Sequence, residues 1–210
     1  NKVIITGSCK SFVIQEKDGE IKTYPRHEEN DACQVKYYTI DPDTLIPDVH
    51  GDNIPSTDMP RPAFHIMAGN FFTHVDWIDN VGLDPKIFFV GEEIMMTMMS
   101  YAAGYKMFHH SKMVSYHLEN TSNWHTKTPP EDQKAARRRE ILAEIGRWQW
   151  KHYLEACRED LLSEFHQEFG VDFINLDIEE RARTYSLDVL PGKVDVLAIS
   201  KKPKKKVKMP

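Results

Sequence analysis

One junction constrains the fold of this chain more than any other: the apolar run Ile87-Phe88-Phe89-Val90 stops at Gly91 and hands over directly to Glu92-Glu93. An apolar run of this length closed by glycine reads as a strand buried on both faces. Met95, Met98, Met99 and Ala102 follow at i, i+3, i+4, i+7 spacing and end at Gly104, which predicts a helix from Glu92 with the methionines as ordinary core packing. Strand, glycine and helix in this order make an α/β unit, and they deliver two carboxylates to a strand end. The helix dipole favours the ionised acids there. Acidic residues in a first helical turn also serve as plain caps, so Glu92 and Glu93 carry either role on their own.

The rest of the chain repeats the pattern. Val3 to Thr6 before Gly7, Phe64 to Met67 before the Ala68-Gly69-Asn70 turn, Met107-Phe108 and Val114 to Leu118 are read as further strands. Asp18-Gly19 between Phe12 to Gln15 and Ile21 to Tyr24 signals a hairpin, because both residues tolerate the left-handed backbone. Cys33 to Ile40 is a third strand in that region. From Asp41 to Pro62 the five prolines at 42, 47, 55, 60 and 62 predict a long irregular surface segment. Thr73 is expected to cap a short helix presenting Val75, Ile78 and Val81, stopped by Gly82. Beyond Asn120 the composition turns helical: one helix over Pro130 to Cys157 with Ile141, Ile145, Trp148 and His152 as a face, a second from Arg158 to Phe169 ended by Gly170, and a third from Ile178 to Tyr185.

Composition bounds the function. Of 210 residues 40% are hydrophobic, enough for a real core. The 27 Lys and Arg against 32 Asp and Glu leave a net charge of -5, so no nucleic-acid footprint is expected. Six of those lysines crowd residues 201–210, making an acidic body with a basic tail that is read as disordered and solubilising, or as a nuclear-localisation stretch. Cys9, Cys33 and Cys157 are widely spaced with no C-x-x-C pair, which argues against a disulfide framework and for a reducing compartment. No apolar run reaches the length of a membrane helix, so no membrane partner is expected.

A histidine, His117, closes the last strand candidate. Taken in order, Pro60-Arg61-Pro62, Met67-Ala68-Gly69-Asn70-Phe71-Phe72, Leu83-Asp84-Pro85, Phe89-Val90-Gly91-Glu92-Glu93-Ile94, Gly104-Tyr105 and Tyr116-His117-Leu118 resemble the GlcNAc-transferase family that includes cytoplasmic hydroxyproline-modifying enzymes. More remotely they are similar to polypeptide GalNAc-transferases. The resemblance covers about Lys2 to Trp124, with a weaker echo at Phe169 to Phe173.

That resemblance implies a GT-A fold, specifically the C-terminal part of its mixed sheet over residues 1–125 with a helical appendage over 126–200 and the basic tail over 201–210. It implies a cytoplasmic, retaining hexosyltransferase that moves GlcNAc or a similar sugar from a UDP-sugar to a protein or glycan hydroxyl, with manganese or magnesium on the donor diphosphate. By position, Glu92 and Glu93 become the catalytic carboxylates. Ala68, Gly69, Asn70, Phe71, Phe72 and Gly91, together with Trp124, become donor- and acceptor-binding residues, and His117 a metal ligand. The chemistry is coherent: the leaving diphosphate gathers negative charge that a metal offsets, while a carboxylate stabilises an oxocarbenium-like sugar. The family's Asp-x-Asp or Asp-x-His motif would precede Asn1. This predicts a missing nucleotide-binding half and an inactive fragment, with Asp41-Pro42-Asp43 and Asp48-Val49-His50 as local substitutes. Two other classes stay open: a non-catalytic carbohydrate- or peptide-binding module on the same fold, and a metal-dependent hydrolase built on Glu92, Glu93 and His117.

Overall fold

The computed structural model describes residues 2–7, 9–25, 31–56, 58–82, 90–118 and 133–184. They form a mixed α/β structure. Strand β1 (Val3–Thr6) is central to a four-stranded sheet in the order β6 (Arg61–Pro62), β8 (Lys106–His109), β1, β7 (Phe71–Thr73). It runs parallel to β8, with Ile4 opposite Met107, and antiparallel to β7, with Thr6 opposite Phe71. The hairpin β2 (Lys10–Lys17) and β3 (Glu20–Pro25) turns on Asp18 and Gly19 at φ of 57° and 76°, the left-handed pair a two-residue turn requires. Strand β9 (Tyr116–Leu118) joins it parallel to β2.

The proline-rich segment departs from expectation. Instead of an irregular loop, β5 (Pro47–Pro55) pairs antiparallel along β4 (Asp31–Ile40), from Ile40 opposite Pro47 to Asp31 opposite Pro55. Its two prolines stand at its first and last residues, where a missing N–H interrupts no ladder. Phe64 to Met67 is not a strand either. Phe64, His65 and Ile66 are buried, but their segment follows β6 as irregular chain, with the N–H groups of Ile66, Met67 and Ala68 going to side chains of other elements.

Helix α1 (Asp76–Asn80) is entered through Val75 without a side-chain cap. Thr73 lies in β7 and its hydroxyl donates to the Val3 carbonyl at 3.0 Å. Only Trp77 of α1 is buried, and Val75 and Ile78 face solvent. Helix α2 (Glu92–Ala102) starts and stops where expected, with Met95 and Met98 buried and Met99 packed against the core, but Ala102 faces solvent and Met96 is buried as well; Gly104 at φ 78° turns the chain into β8. Residues 87–89 of the strand expected before it lie outside the described residues, as do Leu83 to Pro85 and the basic tail.

Helix α3 (Gln133–Ala156) buries a different face from the one its periodicity suggested. Gly146, Trp150 and Leu154 point inward, whereas Ile141, Ile145, Trp148 and His152 are exposed. Two apolar stripes compete on this helix, and the inner one packs so closely on Gly91 that a side chain there would meet Trp150 Cβ and the Gly146 carbonyl. The Trp150 indole N–H donates to the Leu45 carbonyl at 2.7 Å. Helix α4 (Glu159–Phe169) ends at left-handed Gly170 as expected, followed by the small β10 (Val171–Asp172) and β11 (Asp177–Ile178) pair and helix α5 (Glu180–Thr184). Ile4, Phe64, Met98, Trp150, Phe165 and Ile178 belong to one buried cluster, so the C-terminal helices share the core of the sheet.

Candidate functional site

Helix α2 leads through Gly104 into β8, so its N-terminus lies at the same end of the sheet as the C-terminal ends of β8 and its parallel neighbour β1. Carboxyl ends of parallel strands are where open α/β folds place ligands. Gly91 starts the helix at φ 81°, and a side chain there would meet Trp150 Cβ at 3.1 Å and the Gly146 carbonyl at 3.3 Å. This glycine is required twice over, by its backbone angle and by the closeness of α3.

The segment Ala63 to Asn70 crosses this end and is tied down residue by residue. The Ala63 N–H donates to the Met107 carbonyl (2.9 Å). Ile66 N–H donates to Thr97 Oγ1 (2.9 Å), Met67 N–H to Thr6 Oγ1 (2.9 Å) and Ala68 N–H to Glu93 Oε1 (2.7 Å). Thr97 in turn donates to the Glu93 carbonyl one helical turn back, at 2.7 Å. Three side chains from two elements thus do what a neighbouring strand would otherwise do for these buried and half-buried amides. That is why the segment is buried yet irregular.

The second carboxylate oxygen of Glu93 faces a histidine. His65 Nε2 lies 3.5 Å from Glu93 Oε2, and His65 Nδ1 is 2.8 Å from the Tyr37 hydroxyl. Tyr37 is buried on β4, within 3.1 Å of the Phe64 carbonyl as well. Burial, with the Glu93 charge adding to it, holds the Tyr37 phenol well above its ordinary pKa, so it keeps its proton. His65 is 2% exposed, whereas about a third of the Glu93 side chain (34%) reaches solvent. The carboxylate is anchored from behind and open in front.

The expected site residues divide accordingly. Ala68 and Glu93 are in direct contact, and Gly69 is exposed beside them. Glu92 is half-buried on the same first turn of α2. Asn70 is buried, its amide against His110 Nε2 at 3.3 Å and its carbonyl accepting from Gly7 N–H at 3.2 Å. Phe71 packs on Trp77 with ring centroids 5.2 Å apart, while Phe72 is exposed. His117 sits on β9 opposite Ser11, with its side chain outside the described residues, and Trp124 lies wholly outside them.

Sequence reasoning missed His65, Tyr37, Thr97 and Thr6. The one available signal was a histidine inside the apolar run Phe64-His65-Ile66. Behind the site, the backbone N–H of Val35 donates to His109 Nε2 at 3.2 Å. Burial first, then the neighbouring His110 and His65, push the His109 imidazole down to about 3, so it is neutral at pH 7.

Among the described residues no three His, Cys, Asp or Glu side chains come together around one ion. Asp41 is spent as a turn cap, accepting from the N–H groups of Asp43 and Thr44. Asp48 and His50 pair with each other at 3.2 Å on exposed β5. The described side chains therefore do not by themselves fit a divalent metal.

A family model described as glycosyltransferase (GlcNAc) matches residues 8–175. The chain belongs to this glycosyltransferase family. No curated protein shows a significant match to it. The family match spans Ala68 to Phe72, Glu92, Glu93 and His117, so the anchored carboxylate of this glycosyltransferase lies inside the matched region. No helix among its described residues is long and apolar enough to cross a membrane.

Proposed function

We propose that this glycosyltransferase moves GlcNAc or a similar hexose from a UDP-sugar to a protein or glycan hydroxyl, with Glu93 as the carboxylate at the reacting sugar. The observation that supports this most is the Glu93 carboxylate itself, held by the Ala68 N–H at 2.7 Å with a third of the side chain open to solvent. The donor's bond from sugar C1 to the diphosphate oxygen breaks with its electron pair going to the diphosphate. The acceptor oxygen then bonds to C1, and its proton passes to the departing diphosphate oxygen. As that bond loosens, positive charge grows on the sugar, and a fixed anion nearby stabilises it more than it stabilises the ground state.

The Ala68-Gly69 turn and exposed Phe72 offer backbone and an aromatic face for a sugar or peptide. Glu92, half-buried one residue earlier on α2, is the second carboxylate able to bind a hydroxyl. Retention at C1, a cytoplasmic setting, and manganese or magnesium held in part by His117 belong to the proposal through the family resemblance. No role given to Glu93 or to the turn depends on the metal.

Saturation-transfer NMR with UDP-GlcNAc on the protein as its source cell makes it, with and without manganese, tests the reading. Saturation reaching the N-acetylhexose protons, and competition by UDP, are expected. Absence of binding by every UDP-hexose under both conditions would contradict the assignment of donor.

A further inference from the structure

We infer that His65, braced by Tyr37, is a positioning residue that sets the Glu93 carboxylate for sugar transfer; this rests on the reading of Glu93 as the carboxylate at the sugar. His65 is too buried to touch a substrate, so its effect can only pass through Glu93. The two carboxylate oxygens are held differently. Oε1 has a short bond to the Ala68 amide, and Oε2 has the longer 3.5 Å contact to His65 Nε2. One anchor alone leaves a carboxylate free to rotate about it. The second fixes its plane, and active-site contacts that are long without substrate commonly tighten when it binds.

The proton arrangement favours a donor at Nε2. A carboxylate accepts only, so His65 must present N–H to it. In the neutral ring Nδ1 then bears the lone pair and accepts from the Tyr37 hydroxyl at 2.8 Å. The Tyr37 hydroxyl is also 3.1 Å from the Phe64 carbonyl, which keeps it seated between the two and braces the ring from behind.

The test uses His65→Leu, which removes the donor at similar volume, His65→Gln, which returns an N–H near the Nε2 position, and Tyr37→Phe, which keeps His65 and removes its brace. Two readouts are taken: steady-state kinetics at varied UDP-GlcNAc, and the amide proton shift of Ala68, which reports the carboxylate directly. His65→Leu is expected to lower kcat by about 10- to 100-fold, the scale of a misplaced reacting group, with donor KM changed less than about 2-fold. It should also move the Ala68 amide resonance. His65→Gln should recover most of both, and Tyr37→Phe should show a smaller loss of the same kind. Parental kcat in His65→Leu, or an unmoved Ala68 amide in that variant, would overturn the inference. The kinetics are read in the protein as its source cell makes it; if that protein transfers no sugar, the reading of Glu93 fails instead, and the Ala68 amide still decides whether His65 sets the carboxylate.

Discussion

The amide of Ala68 donates to Oε1 of Glu93 at 2.7 Å, joining a turn and a helix 25 residues apart in sequence. A charged acceptor on a partly buried amide makes this among the stronger hydrogen bonds a fold can form. Glu93→Ala leaves the amide without its acceptor and should cost about 1–3 kcal/mol. Glu93→Gln can keep both contacts: its carbonyl accepts from Ala68, its NH2 donates to His65 Nε2, and the Tyr37 hydroxyl turns to Phe64. Thermal unfolding should therefore show Glu93→Ala roughly 2–10 °C below the parent, with Glu93→Gln much closer to it. Equal melting temperatures for the two variants would mean the contact contributes little.

Gly91 tests how the site is placed rather than how it is held. Its φ of 81° strains any side chain, and a methyl group there would crowd Trp150 Cβ at 3.1 Å and the Gly146 carbonyl at 3.3 Å. Gly91→Ala should cost about 2–3 kcal/mol, of which ~1–2 comes from the left-handed backbone alone. Gly69→Ala is the control, because a Cβ there meets nothing within 4 Å. Denaturant midpoints should separate the two clearly, with Gly69→Ala within about 0.5 kcal/mol of the parent.

His109 gives a prediction in pH. Its folded pKa of about 3 lies below the ordinary 6.5, so between these values the unfolded chain binds a proton that the folded chain does not. Stability must then rise with pH across this window and fall on acidification, by up to roughly 1.4 kcal/mol per pH unit for one proton. Above pH 6.5 the contribution is complete and flat. His109→Gln keeps an acceptor for the Val35 N–H and removes the titration. Urea midpoints at pH 4.5, 5.5 and 6.5 should show a shallower slope in the variant, whereas parallel slopes would mean His109 is not held neutral.

Elements whose signal is local were legible in the sequence. Asp18-Gly19 turns its hairpin, and the methionine spacing of α2 and its stop at Gly104 are as read. Gly170 ends α4. The misreadings arise where tertiary contacts decide. Helix α3 carries two apolar stripes, and contacts with distant residues, such as Trp150 against Gly91 and the Leu45 carbonyl, choose between them. Pro47 and Pro55 look like breakers until a partner strand shows that they stand at the ends of β5. In the site, Glu93 and the Ala68 turn were visible as motifs, but their contact was not. Thr97 and Tyr37 left no mark and His65 only that of a histidine in an apolar run, because their work is to satisfy backbone amides and orient a carboxylate, and no spacing rule marks that. The resemblance to the GlcNAc-transferases anticipated the family that residues 8–175 match.

The central claim is that the anchored Glu93 carboxylate acts on the sugar during transfer. The most direct test is turnover of Glu93→Gln in the protein as its source cell makes it, measured as UDP-GlcNAc consumed and hexose gained by a hydroxyl acceptor, per folded molecule. The account predicts donor affinity within about 3-fold of the parent and kcat lower by roughly 10²-fold or more, the usual loss when a group matched to transition-state charge is removed. A folded Glu93→Gln protein with parental kcat would contradict it.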